Sequence, residues 1–458
     1  MNDPVYSSVG ELASAILRGE GSAVELVEAH LARIADRNPA LNAVVTLDEE
    51  GALRQAREAD DALARGEVWG PLHGVPLTLK DGHSTAGMRT TAGYLPLSEY
   101  VPKEDGAVSR RLKAAGGIVI GKTNVPELLL NVQADNEIFG FTRNPWNTDR
   151  VPGGSSGGAC AALAAGMTPL EVGSDLAGSI RIPAHCCGVF GLKPTERRVS
   201  LAGHIPDLPD RPRAIRVMAV VGPLARSVED LYLGFRILAG PDGCDHEVAP
   251  VPVGDMPEVN LRDLRIAWAP TFPGIPVASE IGQALERLAA ELDRAGAHVE
   301  ECLPKVDFDE QVRLQGKLTS LLIDAFEPTA EGSDPLQLAD YFRVLDRRDA
   351  LIGEWDRFFD DWDVLLCPVV MVTAFPHCPK GMPLSVDGEE VDYWTILNHC
   401  RPFNLTGHPV VTLPVSKDAE GMPIGIQAVG RRWEDERLLA MASRLVEVTG
   451  PFDRPPGY

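Results

Sequence analysis

Two serines near the start of the chain each stand three residues before a glutamate. Ser8-Val9-Gly10-Glu11 leads into Leu12, Ile16 and Leu17, and Ser22-Ala23-Val24-Glu25 leads into Val27, Leu31 and Ile34. In such a capping box the serine hydroxyl accepts from the N–H three residues on, while the glutamate reaches back to the serine N–H. The apolar residues recur at helical spacing, so the chain is expected to open with helices. A third helical stretch, about Glu49 to Ala64, is rich in Ala, Arg, Glu and Asp and reads as largely solvated.

The texture then changes to short, continuous apolar runs between turn residues: VPLTL (75–79), GIVIG (117–121), LEVG (170–173), CGVFGL (187–192) and VMAVVG (217–222). Runs without alternation predict strands covered on both faces. Helical stretches such as DGAVSRRLKAAG (105–116) lie between them, which predicts an α/β layered fold with a mixed, mostly parallel central sheet covered by helices. Between 225 and 350 the pattern is mainly helical, as in EIGQALERLAAELDRAGA (280–297), before VLLCPVV (364–370) and VVTLPV (410–415) return to strand. The sheet is therefore expected to draw strands from both ends of the chain. No repeat, low-complexity tract or long polar linker divides the 458 residues, so a single large domain is expected.

Composition narrows the partners. Lys+Arg 43 against Asp+Glu 66 gives a net charge of −23, which would repel phosphate backbones and anionic lipid, so neither nucleic acid nor a membrane is an expected partner. The start MNDPVYSSVGEL lacks a basic segment followed by an apolar run, and a cytoplasmic protein, monomer or homodimer, is expected. The eight cysteines are scattered, which favours free thiols over a disulfide framework. His185-Cys186-Cys187 has no CxxC or HExxH companion, and adjacent side chains seldom converge on one ion, so no metal is expected there.

Two motif matches fail on context. GGIVIGKT (116–123) fits G-x-x-x-x-G-K-[ST], yet its intervening residues read as strand where a phosphate loop needs an irregular cradle of N–H groups. GSSGG (154–158) fits the G-x-S-x-G nucleophile elbow with Ser156 at its centre, but RNPWNTDRVP before it, punctuated by prolines, is a poor strand.

Three other features carry chemistry together. Lys80 ends the apolar strand VPLTLK, where desolvation would lower its pKa and leave a neutral base; a lysine at a strand end can equally be a solvated surface group. GGSSGG can expose two hydroxyls ahead of ACAALAAG, a helix so uniformly small and apolar that it must be buried, or it can be a flexible turn. In GSDLAGSIR small residues let successive N–H groups point into one concavity beside Ser179, or simply cap a helix.

With GVPLTLKD (74–81), TTAG (90–93), GKTNVPEL (121–128), FTRNPWN (141–147), PGGSSGGACAALAAG (152–166) and GSDLAGSIRIPAHCCGVFGLKPT (173–195), the chain resembles the amidase signature family. FNLTGHPV (403–410) and GMPIGIQAVGRRWEDERLL (421–439) are weaker echoes. The match is dense over 70–195 and sparse over the last sixty residues.

The resemblance implies the amidase signature fold, with N-terminal helices over 1–66, the signature core over 70–195, a variable pocket region over 200–400 and returning core elements over 400–458. It implies a Ser, cis-Ser, Lys triad of Ser179, Ser155 and Lys80, and an oxyanion hole from the N–H groups of Leu176, Ala177, Gly178 and Ser179. Ser156, Ser174, Asp175 and Arg181 fall on supporting positions. Neither metal nor organic cofactor is implied.

Two departures stand out. Ala177 occupies the first of the family's two glycines before the nucleophile, and would strain the turn if that position needed positive φ. His185-Cys186 stands where an aromatic residue more often precedes the cysteine, and is expected to alter packing under the site. Leu129, Leu130, Gln133 and residues near 370–400 are candidates for the substrate pocket. Such a lining implies small hydrophobic or aryl amides, with carbamates (as in a urethanase) and esters within the family's range. The alternative is the glutaminase component of an amidotransferase, which needs partner subunits.

Overall fold

The computed structural model describes residues 3–205, 215–326 and 338–458. Parts of the expected pocket region, 206–214 and 327–337, therefore lie outside the described residues. Both expected capping boxes form. Ser8 and Ser22 accept from Glu11 N–H and Glu25 N–H, and both glutamates return the bond, starting helices Val9–Leu17 and Ala23–Leu41. The third helix, Glu49–Ala64, is less solvated than its charge suggests. Ala52, Ala56, Ala59 and Ala62 form a buried stripe at helical spacing.

The strands in chain order are β1 (Val44–Leu47), β2 (Pro76–Lys80), β3 (Ile118–Thr123), β4 (Asp135–Asn136), β5 (Gly140–Phe141), β6 (Leu170–Asp175), β7 (Phe190–Lys193), β8 (Val220–Ala225), β9 (Arg265–Trp268), β10 (His298–Glu301), β11 (Val364–Pro368), β12 (Leu384–Val386), β13 (Glu389–Val391), β14 (Val410–Lys417) and β15 (Pro423–Val429). The 8-stranded central sheet runs β10-β9-β11-β15-β14-β7-β8-β6 and is mixed. Following its pairings, β8, β9, β10, β11 and β14 share one direction, and β6, β7 and β15 run opposite. As expected, strands from both halves of the chain meet in it. A smaller sheet, β1-β3-β2, has β2 parallel to β3 and β1 antiparallel to β3.

The continuous apolar runs are explained by cover on two sides. In β8, Val221 and Ala225 join the main core cluster, whereas Leu224 packs with Cys160, Leu163 and Ile180. Helices Val228–Leu238 and Asp435–Thr449 contribute to the first group, and Gly157–Ala164 and Arg181–Cys187 to the second.

Two strand boundaries differ from expectation for backbone reasons. CGVFGL does not begin as strand, because Cys187 closes helix Arg181–Cys187 and Gly188, at φ 67°, turns the chain into β7. VMAVVG becomes strand only at Val220, since Met218 sits at φ 68° and interrupts the extension.

Candidate functional site

β2 ends by delivering Lys80 into the interior, where its side chain is fully buried. Its Nζ lies 2.7 Å from Ser155 Oγ, 2.8 Å from Ser156 Oγ and 3.0 Å from Ser174 Oγ, so three hydroxyls surround one amine. Burial disfavours the ammonium and lowers Lys80 from its usual value near 10.5 to about 7, with Asp175, Cys160 and Glu171 pulling the other way.

The GGSSGG segment approaches this amine through close backbone packing. A Cβ on Gly158 would overlap the Asn124 backbone, so only glycine fits where helix Gly157–Ala164 begins. That helix is buried at every position, as its composition predicts. The peptide between Gly154 and Ser155 is cis. Ser156 N–H donates to Ser179 O at 3.2 Å, which ties the two serine-bearing loops together.

Ser174 lies near the end of β6 beside Asp175, and the chain then turns through Leu176–Ser179 into helix Arg181–Cys187. Asp175 anchors that turn. Its carboxylate accepts from Gly178 N–H at 2.7 Å and Ile180 N–H at 3.1 Å, and pairs with Arg181 through Nη2 at 2.9 Å and Nε at 3.0 Å. Burial alone would raise the Asp175 carboxyl, but Arg181 and Asn404 hold it well below the usual carboxylate range.

Gly178 therefore leaves the set of expected oxyanion donors, because its N–H already points into Asp175. Among the described residues no protein acceptor holds the N–H groups of Leu176, Ala177 or Ser179. The strain expected at Ala177 does not arise. The positive φ in this turn belongs to Gly178, at 118°, where an added Cβ would meet Ile182 at 2.8 Å and Cys400 Sγ at 3.0 Å.

Ser179 is half-buried and lines a cleft together with Ser155, Ser174, Asp175, Leu128, Leu129, Leu130, Leu176, His204, Ile205, Ile215 and Ala219. Leu129 and Leu130 thus reach the cleft. Gln133 does not: its amide donates to Tyr393 Oη at 3.0 Å and Cys378 O at 2.9 Å, bracing the hydrophobic group that also takes up Val369–Val372 and Phe375. His185 shares a 3.0 Å contact with Gly425, and burial lifts the Cys186 thiol to about 12. The P-loop pattern resolves as strand β3, with Lys122 buried against His83 O.

Sequence reasoning missed Asn404 and Gln427. Asn404 Nδ2 donates to Asp175 Oδ1 at 2.9 Å and Arg181 Nη1 donates to Gln427 Oε1 at 2.6 Å, so the ion pair is held from the far end of the chain. The signal was present in FNLTGHPV and GMPIGIQAVG: a buried guanidinium needs acceptors beyond one carboxylate, and these motifs carry them.

The Amidase family model matches residues 25–318 and 329–439. The chain belongs to the amidase signature family. Amidase relatives include an acylamidase of Rhodococcus erythropolis, 33% identical over 98% of this chain and 97% of that one. A glutamyl-tRNA(Gln) amidotransferase subunit of Roseiflexus sp. (strain RS-1) is 34% identical, over 98% of each chain. Among solved amidase signature structures, 6-aminohexanoate cyclic dimer hydrolase superposes with a TM-score of 0.83 at 28% identity, covering 99% of each chain. A bacterial aryl acylamidase does so with 0.84 at 25%, again over 99% of each. No helix among the described residues of this amidase-family enzyme is long and apolar enough to cross a membrane.

Proposed function

We propose that the chain hydrolyses amide C–N bonds through an acyl-enzyme on Ser179. The observation that carries this is the buried Lys80 amine within hydrogen-bond reach of Ser155, Ser156 and Ser174, two of which, Ser155 and Ser174, line the same cleft as Ser179.

A neutral Lys80 accepts the Ser155 hydroxyl proton while Ser155 takes the proton of Ser179, whose Oγ attacks the substrate carbonyl. The developing oxyanion is received by the N–H groups of Leu176, Ala177 and Ser179, which no acceptor among the described residues occupies. Reversing the relay protonates the departing nitrogen and the C–N bond breaks, leaving an ester on Ser179. Water, deprotonated by the same relay, hydrolyses that ester and restores the enzyme. Ser156 and Ser174 orient the amine, and the Asp175–Arg181 pair holds the turn that presents the nucleophile.

The cleft wall of Leu128, Leu129, Leu130, Leu176, Ile205 and Ile215 favours small hydrophobic or aryl acyl groups, and the same chemistry extends to carbamates and esters. A second reading, a glutaminase component that needs partners, is favoured by the amidotransferase relatives.

The test is a panel of anilide, p-nitroanilide, carbamate, ester and glutamine substrates with wild type, Ser179→Ala and Lys80→Ala. The triad reading expects hydrophobic amides to turn over and both variants to lose at least about a thousandfold in kcat/KM. Substantial activity in Ser179→Ala would overturn it. Turnover of glutamine alone, and only with added subunits, would favour the second reading.

A further inference from the structure

The mechanism leaves one buried carboxyl group unused, that of Glu171 in β6, which is fully shielded from solvent. β6 is the outer strand of the central sheet and β2 the outer strand of the small sheet, and no backbone ladder joins them among the described residues. Side chains do. Glu171 Oε1 accepts from Thr78 Oγ1 of β2 at 2.7 Å and from Thr123 Oγ1 of β3 at 2.9 Å, and Oε2 accepts from Val172 N–H at 3.0 Å.

Both threonines are tied to Lys80. Thr78 lies two residues before it and so shares its face of β2, and Thr123 is its register partner in β3. The β2–β3 ladder slips between Leu77 and Thr78, and Thr78 N–H turns instead to Thr168 Oγ1 at 3.1 Å. The carboxylate thus grips β2 where its pairing is irregular, one repeat of the pleat before the base.

We propose that Glu171 is a positioning residue for Lys80, clamping β2 and its neighbour β3 through Thr78 and Thr123 and adding to the negative charge that sustains the amine's affinity for the Ser155 proton. The proposal rests on the triad reading above. Its electrostatic setting supports it. Around the amine stand Asp175 and Glu171 from β6, Cys160 from helix Gly157–Ala164, and His83 after β2. Around the carboxyl stand Lys122 from β3 and the Cys160 thiol, with Asp81 facing Lys122. Burial raises the Glu171 carboxyl to about 7 against the pull of both threonines, the Val172 N–H and Lys122. Asp175, paired with Arg181, gives the amine its largest electrostatic support, and Glu171, whose oxygens are held by hydroxyls and a backbone N–H, adds a smaller share. A desolvated lysine with no anion nearby would hold a proton too weakly to be an effective base, since general-base efficiency needs a pKa near the working pH.

The test is the pH dependence of kcat/KM for Glu171→Gln, which keeps the oxygen that both threonines bond and removes the charge. The acid limb is expected to move to lower pH by about half a unit or more, because Lys80 loses a neighbour that stabilises its ammonium. The plateau is expected to fall roughly two- to threefold as the base weakens, with KM unchanged. A uniform loss at every pH with the limb in place would overturn the proposal and leave Glu171 as a link between sheets. Should Glu171→Gln fail to fold, Thr78→Val decides: a limb shifted in the same direction supports the charge role, and an unmoved limb overturns it. Lys80→Ala in the same series separates the two readings. If Lys80→Ala is inactive while the Glu171→Gln limb stays in place, the Glu171 role fails and the triad stands; if Lys80→Ala is active, the triad itself fails.

Discussion

In the proposed mechanism Lys80 acts only when unprotonated, and burial lowers it from its usual 10.5 to about 7. The sign follows directly: kcat/KM should climb as pH rises through about 7 and level off above it. A profile flat from about pH 5 to pH 9 would mean that no such amine limits the reaction. Gly178 makes a second prediction at this scale. With φ at 118° and Ile182 and Cys400 crowding its missing Cβ, Gly178→Ala should lose activity and lower the melting temperature. An unperturbed Gly178→Ala enzyme would show that the Asp175 anchor does not shape the turn. The residue scale also shows what sequence could convey. Ser155 and Ser179 stand in small-residue motifs whose composition advertises tight backbone packing, and Lys80 ends an apolar strand. By contrast, nothing in DLAGS reveals that the Gly178 N–H turns inward, because that depends on where the Asp175 carboxylate points.

Elements were most legible where local hydrogen bonding decides their limits. The S-x-x-E pairs located the first two helices because the bonds that start them lie within four residues. Replacing Ser22 by Ala should destabilise the fold by about 1 kcal/mol, seen as a lower urea midpoint at unchanged m-value. No change would mean that tertiary packing alone sets that helix start. Strands were legible as apolar runs, but their ends were not. Gly188 and Met218 adopt positive φ, and these two residues stand just before β7 and β8 begin. The buried alanine stripe of Glu49–Ala64 was masked by its charges, since small residues give a weak hydrophobic signal even when they pack closely.

At the scale of the whole molecule the site is a junction of distant segments. Lys80, the proposed base, comes from the small sheet, Ser155 and Ser156 lead into helix Gly157–Ala164, and the Asp175–Arg181 pair is completed by Asn404 from the short helix Arg401–Leu405 and by Gln427 from β15. Such convergence of residues more than two hundred positions apart cannot be read from local pattern. A buried ion pair that loses one partner leaves an unpaired charge, so Arg181→Ala should cost about 3 to 5 kcal/mol in stability. Asn404→Ala should weaken both stability and turnover, and a double-mutant cycle with Asp175→Asn should show coupling. Additive effects would place Asn404 outside the network.

In the proposed mechanism Ser179 forms the covalent intermediate and Lys80 drives it. Mass spectrometry of peptides from enzyme treated with a serine-reactive sulfonyl fluoride, or with a slowly deacylating carbamate, locates that intermediate. One adduct is expected, on the peptide containing Ser179, absent in Ser179→Ala and strongly reduced in Lys80→Ala. An adduct on Ser155 or Ser156, or one that forms equally well without Lys80, would contradict it.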